Sequence, residues 1–281
     1  MNVIRATVLG MCFGVRDALD LARNLDEPQS VTVWGQIVHN PQVTAELHAR
    51  GFRQTHRPDA SDVPETARVL VTAHGLGQRE RRRLESHGKS LVDTTCPLVE
   101  RVHDAALRLE REGRHVVVVG REDHVEVRGI VAELSAYTVI EHPDAATTLP
   151  SGRVGVVAQT TIPPERFAAV VERLRSENPA ADIVAVDTVC DPTRRRRDAV
   201  RALAGQVDAV VVVGGRNSNN TRELSELVTA LGVPAFQIEG PDDLDVDGLR
   251  AFDTIGLTAG TSTPDATIDE VESRLRALPP R

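Results

Sequence analysis

The sequence predicts an α/β protein built from three similar units of parallel strands and helices. Short β-branched apolar runs alternate with longer helical patterns along the chain, which is typical of parallel sheets covered by helices. Three cysteines divide the chain almost evenly, and each stands between an apolar run and a helical pattern. Polar residues follow the strand-like runs at similar distances from each cysteine.

Seven apolar runs are predicted to be buried strands. They are VTVW (31–34), RVLVTA (68–73), HVVVVG (115–120), RVGVVA (153–158), DIVAVD (182–187), DAVVVVG (208–214) and TIGLTA (254–259). Helical patterns follow most of them, for example over residues 163–177 and 221–232. A helix is also predicted after Cys96, because Pro97 suits the first helical position and a long amphipathic run follows it.

Each third of the chain is predicted to fold as a βαβαβα unit with one cysteine and two polar strand ends. The units are residues 1–95 with Cys12, 96–189 with Cys96 and 190–281 with Cys190. The polar strand ends are His39, His74, His124, Thr160, Ser218 and Ser262. Ligands bind at the carboxyl ends of parallel strands, so three units around a pseudo-threefold axis would direct these ends at one cavity. Accidental regularity in a repetitive chain is the alternative.

The bulk composition argues against several classes of protein. The 281-residue chain carries a formal net charge of −8, which argues against broad binding to nucleic acid or to anionic membranes. No run reaches the roughly 20 apolar residues that a membrane helix needs, and no signal peptide is expected. Three cysteines are an odd number, so a secreted disulfide framework is not expected either. The sequence therefore predicts a cytoplasmic protein.

Three converging thiols would suit an iron–sulfur cluster. A thiol at a helix N-terminus lies near the positive end of the helix dipole, which favours the thiolate. A [4Fe–4S] cluster normally takes four cysteines, so three would leave one iron open to a substrate oxygen. A zinc hydrolase is a remote alternative, because the three cysteines lie about a third of the chain apart and none belongs to a C-x2-C pair. A lone cysteine is otherwise most often a small buried residue.

The polar strand ends suit an anionic substrate. Imidazoles of His39, His74 and His124 can donate hydrogen bonds to phosphate oxygens. The segments GGRNSNNTREL and TAGTSTPDATIDEV place small polar residues before predicted helices, where hydroxyls and backbone N–H groups bind phosphate. These residues are Ser218, Asn219, Asn220 and Ser262, with Pro264 predicted at the first helical position. The alternative for each segment is an ordinary helix cap.

Two charged features have both a functional and an ordinary interpretation. Glu126 follows His124 by two residues and would supply protons in a closed cavity. A lone glutamate is nevertheless most often a solvated surface charge. The arginine run at 194–197 is most often an exposed helix face, although one arginine could pair with an acid near the cysteines.

The motifs together resemble the hydroxymethylbutenyl diphosphate reductase family, also called IspH or LytB. The matching motifs are CFGV, VHN, AHG, DTTCPLV, HVEV, QTT, VCDPT, NSNN and TAGTSTPD, in collinear order from Cys12 to about Asp265. The resemblance implies a trefoil of three α/β domains around a central iron–sulfur cavity. It also implies reductive dehydroxylation of (E)-4-hydroxy-3-methylbut-2-enyl diphosphate to isopentenyl and dimethylallyl diphosphates, in the methylerythritol phosphate isoprenoid pathway.

The resemblance further implies roles for individual residues. Cys12, Cys96 and Cys190 match the ligands of a [4Fe–4S] cluster with one open iron. The implied substrate-binding residues are His39, His74, His124, Thr160, Ser218, Asn219, Asn220 and Ser262. Glu126 matches the acid of the proton relay and Thr160 the threonine near the substrate hydroxyl, so both are predicted to be catalytic. The expected electron donor is a ferredoxin or a flavodoxin.

The chain departs from the family pattern beside some of these residues. Phe13 follows Cys12, Val125 stands where proline is usual, and Asn219 stands where a serine commonly contacts diphosphate. The segment after Cys190 is changed to PTRRRR at 192–197. Two alternatives therefore stay open. One is a paralogous [4Fe–4S] enzyme with another allylic or diphosphate substrate, and the other is a non-catalytic sensor that binds a cluster or a diphosphate.

Overall fold

The computed structural model describes residues 1–55, 62–150 and 152–278, and in these residues twelve strands form three four-stranded parallel sheets. The strands are β1 (Asn2–Arg5), β2 (Val31–Trp34), β3 (Arg53–Thr55), β4 (Arg68–Val71), β5 (Ser90–Asp93), β6 (His115–Val119), β7 (Tyr137–Ile140), β8 (Arg153–Ala158), β9 (Asp182–Ala185), β10 (Ala209–Val213), β11 (Ala235–Ile238) and β12 (Thr254–Ala259). The α-helices are α1 (Phe13–Arg23), α2 (Pro41–Ala49), α3 (Gln78–Ser86), α4 (Pro97–Arg111), α5 (Val125–Val131), α6 (Pro164–Glu177), α7 (Asp191–Ala204), α8 (Asn219–Ala230), α9 (Val246–Leu249) and α10 (Asp265–Ala277).

All three sheets have the same strand order. The orders are β3-β2-β4-β5, β7-β6-β8-β9 and β11-β10-β12-β1. The third sheet takes its last strand from the N-terminus of the chain, where Asn2 pairs with Thr254 and Arg5 with Leu257. The prediction of an α/β fold is confirmed, and the repeat inferred from spacing is present in the topology of the sheets. The division into domains at residues 95 and 189 stays a prediction.

Contacts within the chain define two compact units. Unit 1 consists of Met1–Arg16, Val38–Glu46 and Asp191–Arg281, and unit 2 consists of Asp17–Ile37 and Leu47–Cys190. Unit 1 holds the sheet β11-β10-β12-β1, and unit 2 holds the other two sheets. Each helix in the described ranges is too short or too polar to cross a membrane.

Helices cover both faces of the sheet in unit 1. On one face Ile268, Val271 and Leu275 of α10 pack against β10 and β12. On the other face α7 and α8 contribute Val200 and Leu224 to a second core. Strands covered on both faces carry apolar side chains at every position, and β10 is accordingly an unbroken buried run, AVVVV.

The sheet β7-β6-β8-β9 in unit 2 is covered in the same way. Residues of α4 and α5 pack on one face, including Leu109 and Ile130. Residues of α6 pack on the other face, including Phe167 and Leu174. Gly155 of β8 allows α4 to approach closely, because a Cβ at this position would lie 2.8 Å from Leu109 Cβ. These two layers fix the carboxyl ends of β6 and β8, where candidate site residues follow.

The arginine run at 194–197 corrects the prediction of an exposed helix face. Arg196 and Arg197, on α7, are only 3% and 5% exposed. Arg196 Nε donates to the Gly10 carbonyl at 3.1 Å, and its Nη2 donates to the same oxygen. Gly10 has a positive φ of 74° and lies two residues before Cys12, so Arg196 holds the backbone that leads to this cysteine.

Replacing Arg196 by methionine is expected to lower the free energy of unfolding by about 2–3 kcal/mol, because the buried Gly10 carbonyl loses its charged donors. The matched control is Arg195→Met. Arg195 is exposed and pairs only at the surface with Asp191, so its loss is expected to cost less than about 1 kcal/mol. Urea unfolding of both variants measures the difference, and equal effects would contradict the structural role given to Arg196.

Candidate active site

The three cysteines stand at the same topological position. Each follows the fourth strand of a sheet and directly precedes a helix: Cys12 lies between β1 and α1, Cys96 between β5 and α4, and Cys190 between β9 and α7. All three are partly buried, and none forms a disulfide among the described residues. Cys96 is the N-cap residue of α4, and Pro97 is at the start of that helix as predicted.

A backbone hydrogen bond fixes each cysteine to the end of the neighbouring strand. The N–H of Cys12 donates to Thr261 O at 3.3 Å, after β12. The N–H of Cys96 donates to Ala73 O at 3.1 Å, after β4, and that of Cys190 to Thr160 O at 3.0 Å, after β8. The same contact in three places shows that the repeat extends to the local environment of the thiols.

The other predicted residues follow the two central strands of each sheet. His39, His124 and Ser218 follow β2, β6 and β10, whereas His74, Thr160 and Ser262 follow β4, β8 and β12. In both sheets of unit 2 the chain leaves these two central strands toward opposite edges, whereas in unit 1 it leaves β10 for β11 and the opposite edge is formed by β1. Such switch points are where parallel α/β sheets bind ligands.

The unit 1 residues include a polar cluster at the start of α8. Ser218 is the N-cap residue, and its Oγ accepts a hydrogen bond from Thr221 N, so its proton remains a donor. Asn220 Oδ1 accepts from Thr261 N at 3.1 Å, while its buried Nδ2 has no hydrogen-bond partner among the described residues. Asn219 is 2% exposed, and its Oδ1 accepts from Arg222 at 2.7 Å. The cluster thus offers buried donors to an anion.

His39 belongs to the same unit as this cluster. Its backbone carbonyl accepts a hydrogen bond from Ser262 Oγ at 3.1 Å. The next residue, Asn40, caps α2 by accepting from Gln42 N at 2.9 Å and from Val43 N at 3.2 Å. The structure therefore brings the His39 backbone and the Ser262 hydroxyl together in unit 1. One detail differs from the sequence prediction, because Pro264 precedes α10 as its N-cap residue instead of occupying its first position.

Gly215 is expected to be essential for the position of His39. A Cβ at Gly215 would lie 2.5 Å from His39 O, so Gly215→Ala must displace this backbone. We expect about tenfold weaker binding of inorganic pyrophosphate, which corresponds to the loss of roughly one hydrogen bond to a charged group. The control is Gly205→Ala, since nothing lies within 4 Å of a Cβ there. Titration calorimetry measures both affinities, and an unchanged affinity in Gly215→Ala would refute this assignment.

Unit 2 holds His74, His124, Glu126 and Thr160, together with Cys96 and Cys190. The rings of His74 and His124 meet edge to face, with centroids 5.7 Å apart. His124 is the N-cap residue of α5, and its Nδ1 accepts from Glu126 N at 3.2 Å. A neutral His124 ring therefore carries its proton on Nε2, which makes that nitrogen the donor.

Glu126 and Thr160 form a buried acid–hydroxyl pair. Glu126 is 2% exposed and Thr160 6% exposed, which excludes the ordinary interpretation of Glu126 as a solvated charge. Glu126 Oε1 accepts from Thr160 N at 2.7 Å, and Glu126 Oε2 lies 3.0 Å from Thr160 Oγ1. Burial raises the pKa of Glu126 to about 7, although the Thr160 hydrogen bonds and the charge of His103 oppose this. A carboxyl group of this kind holds a proton near neutral pH.

The raised pKa of Glu126 predicts a pH-dependent stability. The folded state binds this proton up to about pH 7 while an unfolded glutamate releases it near 4.5, so stability falls as pH rises across this interval. From pH 6 to pH 8 the free energy of unfolding of the wild type should fall by about 1.4 kcal/mol relative to that of Glu126→Gln. Glutamine has the same shape as glutamate but does not titrate. Thermal unfolding of both proteins at both pH values measures this difference. An equal change in stability with pH in the two proteins would refute the raised pKa.

The structure also identifies residues that the sequence motifs did not reveal. Asn40 caps α2, and the dipeptide Asn-Pro at 40–41 was a detectable signal for it. His103 Nδ1 lies 2.9 Å from Glu133 Oε2 in unit 2, and neither residue belongs to a motif. Of the departures from the family pattern, Phe13 is 47% exposed at the start of α1 and Val125 is the first residue of α5.

The three cysteines have the chemical properties that the ligands of an iron–sulfur cluster need. Three cysteines outside any described disulfide occupy equivalent positions, each followed by the first residue of a helix. Helix N-termini favour the thiolate, which is the form that binds iron. Each cysteine backbone is fixed by a hydrogen bond to a neighbouring strand end. Thiolate ligands held in this way are what a [4Fe–4S] cluster requires of a protein.

Comparison with known proteins gives full-length matches. Residues 3–276 match the family described as LytB protein. The 4-hydroxy-3-methylbut-2-enyl diphosphate reductase of Oleidesulfovibrio alaskensis is 37% identical over 284 residues, which cover 99% of this chain and 100% of that protein. The reductase of the same name from Aquifex aeolicus is 35% identical over 285 residues, covering 99% of this chain and 97% of the relative.

Solved structures show the same fold. The E-1-hydroxy-2-methyl-but-2-enyl-4-diphosphate reductase from Plasmodium falciparum matches with a TM-score of 0.90 at 26% identity, covering 99% of this chain and 89% of that one. A structure of (E)-4-hydroxy-3-methyl-but-2-enyl diphosphate reductase, described as the terminal enzyme of the non-mevalonate pathway, matches with a TM-score of 0.68 at 34% identity, covering 98% and 99%. Motifs, topology and relatives agree, and the chain belongs to the LytB family.

Proposed function

We propose that this protein is a 4-hydroxy-3-methylbut-2-enyl diphosphate reductase. The reaction takes up two electrons and two protons, breaks the C–O bond of the allylic hydroxyl, and releases water with isopentenyl or dimethylallyl diphosphate. The observation that carries the proposal is the buried Glu126–Thr160 pair, because the departing oxygen must be protonated in a site closed to bulk water.

We assign the resident cofactor, a [4Fe–4S] cluster, to Cys12, Cys96 and Cys190. When bound, such a cluster supplies single electrons and an iron with an open position that acts as a Lewis acid. A ferredoxin or a flavodoxin is the proposed electron donor, and the protein is assigned to the cytoplasm. The partial burial of the three cysteines and the helix starts that follow them support the ligand assignment.

The diphosphate is assigned to the polar strand ends. His39, Ser218, Asn219, Asn220 and Ser262 of unit 1 and His74 and His124 of unit 2 are the proposed binding residues. The buried Nδ2 of Asn220 supports this, since a buried donor without a protein partner is satisfied by a ligand oxygen or by water. Serine hydroxyls and imidazole N–H groups add donors that suit a multiply charged anion.

Proton delivery is assigned to Glu126 and Thr160. A hydroxyl both accepts and donates, so Thr160 Oγ1 can receive the proton of Glu126 Oε2 and donate its own to the departing hydroxyl. The second bond from Thr160 N to Glu126 Oε1 fixes the carboxyl group and stabilises the carboxylate that remains. A pKa of about 7 is well matched to this role near neutral pH.

The test is anaerobic turnover of (E)-4-hydroxy-3-methylbut-2-enyl diphosphate by the cluster-containing protein with a chemical reductant. Mass spectrometry is expected to detect both five-carbon diphosphates, and Glu126→Gln serves as the control with strongly reduced turnover. A cluster-containing protein that leaves this substrate unchanged would overturn the proposal and favour a paralogous enzyme with another substrate.

A further inference from the structure

Arg81 contacts two segments of unit 2 that lead to proposed site residues. It lies on α3, and its side chain is only 17% exposed. Arg81 Nε donates to the carbonyl oxygen of Leu76, two residues after His74, at 2.8 Å. Arg81 Nη1 donates to Oδ2 of Asp93, which ends β5 three residues before Cys96. One guanidinium group therefore joins the segment after His74 to the segment before Cys96.

Thr95, which directly precedes the cysteine, is the third partner of Arg81. Thr95 Oγ1 accepts from Arg81 Nη2 at 3.1 Å and donates to Asp93 Oδ1. The first segment packs on the same side chain, because a Cβ at Gly75 would lie 3.2 Å from Thr95 Cγ2. This close approach and a positive φ of 81° both favour glycine at position 75. Thr95 is therefore the point at which the two segments meet.

Asp93 fixes the turn that leads to Cys96. Its Oδ1 accepts from the backbone N–H two residues later at 2.9 Å. The sequence before Cys190 has the same Asp-Thr-x-Cys spacing, and there Asp187 Oδ1 accepts from Val189 N at 3.1 Å. The same hydrogen bond before two proposed ligands indicates that this turn orients the cysteine.

Arginine is the residue type that suits this bridge. Burial raises the pKa of Asp93, but hydrogen bonds from Arg81 and Thr95 and the charge of Arg81 bring it below the ordinary value. The bond between the guanidinium and the carboxylate is therefore charge-assisted and directional. The planar guanidinium presents its donors in fixed directions, so one side chain can bond Leu76 O, Thr95 Oγ1 and Asp93 Oδ2 together.

We propose that Arg81 is a positioning residue that holds the diphosphate-binding His74 and the cluster-binding Cys96 in one fixed relative position. The inference rests on the proposed function, which assigns those two roles. Residues that orient metal ligands from outside contribute to the affinity for the metal. Arg81 does this for Cys96 through Asp93 and Thr95, and it holds the segment after His74 through the same guanidinium group. Its loss should therefore weaken both cluster binding and anion binding.

The test compares Arg81→Met with two matched controls in the cluster-containing protein. Arg82→Met removes an exposed arginine from the same helix. Arg114→Met removes a guanidinium that is 9% exposed and donates to Asp182 O at the amino end of β9, so it measures the effect of a general loss of stability. In Arg81→Met we expect the affinity for inorganic pyrophosphate to fall about tenfold. We also expect an iron chelator to remove the cluster about tenfold faster.

The controls separate positioning from a general loss of stability. Arg114→Met should unfold at a lower urea concentration while its pyrophosphate affinity and cluster loss keep the wild-type values. The electron paramagnetic resonance spectrum of the reduced cluster should change in Arg81→Met and not in Arg114→Met. A change in only one of the two binding measurements, or equal changes in Arg81→Met and Arg114→Met, would overturn the proposal. Neither measurement uses the reductase substrate, so a wild-type protein that binds the cluster and pyrophosphate without turnover would refute the proposed function alone.

Discussion

Replacing Cys96 by serine is expected to abolish both the iron–sulfur cluster and turnover. Cysteine binds iron as a thiolate, and a serine hydroxyl is far less acidic and is not a usual ligand of these clusters. Serine is nevertheless a preferred N-cap residue, so α4 should still begin at Pro97. Iron and sulfide analysis, visible absorbance and turnover measure the loss, and circular dichroism tests whether the helices remain.

The same substitution at the other two cysteines sharpens this prediction. Cys12 and Cys190 occupy the position equivalent to that of Cys96, so Cys12→Ser and Cys190→Ser should each lose the cluster. Thr95→Ser is the matched control, because it lies beside Cys96 and keeps the hydroxyl that bonds Asp93. A colourless variant that still turns over substrate, or a variant with normal iron content, would contradict the assignment of three ligands.

Replacing Glu126 by glutamine is expected to lower kcat by about 10²- to 10⁴-fold, the usual contribution of general acid catalysis. Glutamine keeps an oxygen for Thr160 N, so the local structure and the cluster should persist while the proton is lost. Thr160→Ser keeps the hydroxyl and should retain much of the activity. Thr160→Val removes the hydroxyl and should approach the activity of Glu126→Gln.

The loss of the Glu126 proton also predicts how turnover changes with pH. Because burial raises the pKa of Glu126 to about 7, the protonated acid prevails below that pH and disappears above it. Turnover should therefore fall as pH rises through about 7 in the wild type, whereas the residual rate of Glu126→Gln should lack this step. Steady-state rates across the range measure both profiles, and a full rate in the variant would exclude Glu126 as the acid.

The sequence was sufficient to predict the central strands and the topological positions of the site residues. Strands covered by helices on both faces are continuous apolar runs, and six of the seven predicted runs correspond to the central strands β2, β4, β6, β8, β10 and β12. The seventh corresponds to β9, which is an edge strand and only partly buried, so the prediction of a buried strand was wrong there. Edge strands such as β3, with the sequence RQT, are short and polar, so no apolar run reveals them. The pairing of β1 with β12 joins the two ends of the chain, and local patterns carry no information on such pairing.

The burial of charged residues could not be predicted from the sequence. Glu126, Arg196 and Arg197 belong to residue types that are mostly exposed, and only tertiary packing buries them. The position of Glu126 depends on Thr160, thirty-four residues later, whose N–H and hydroxyl meet its carboxyl group. His103 likewise gains its partner from Glu133 on another segment. The spacing of residues in the sequence predicted which polar residues follow strands, but it did not predict which of them form hydrogen bonds with one another.

The central claim is that Glu126 is a buried, neutral acid near neutral pH. The most direct measurement is an infrared titration of its carboxyl band in the wild-type protein, with Glu126→Gln subtracted. The structure predicts a protonated carboxyl band at pH 6 that is lost with a midpoint near pH 7, parallel to the loss of turnover. A midpoint at the ordinary glutamate value, with the carboxylate already complete at pH 6, would contradict the claim and leave the reaction without its proposed proton source.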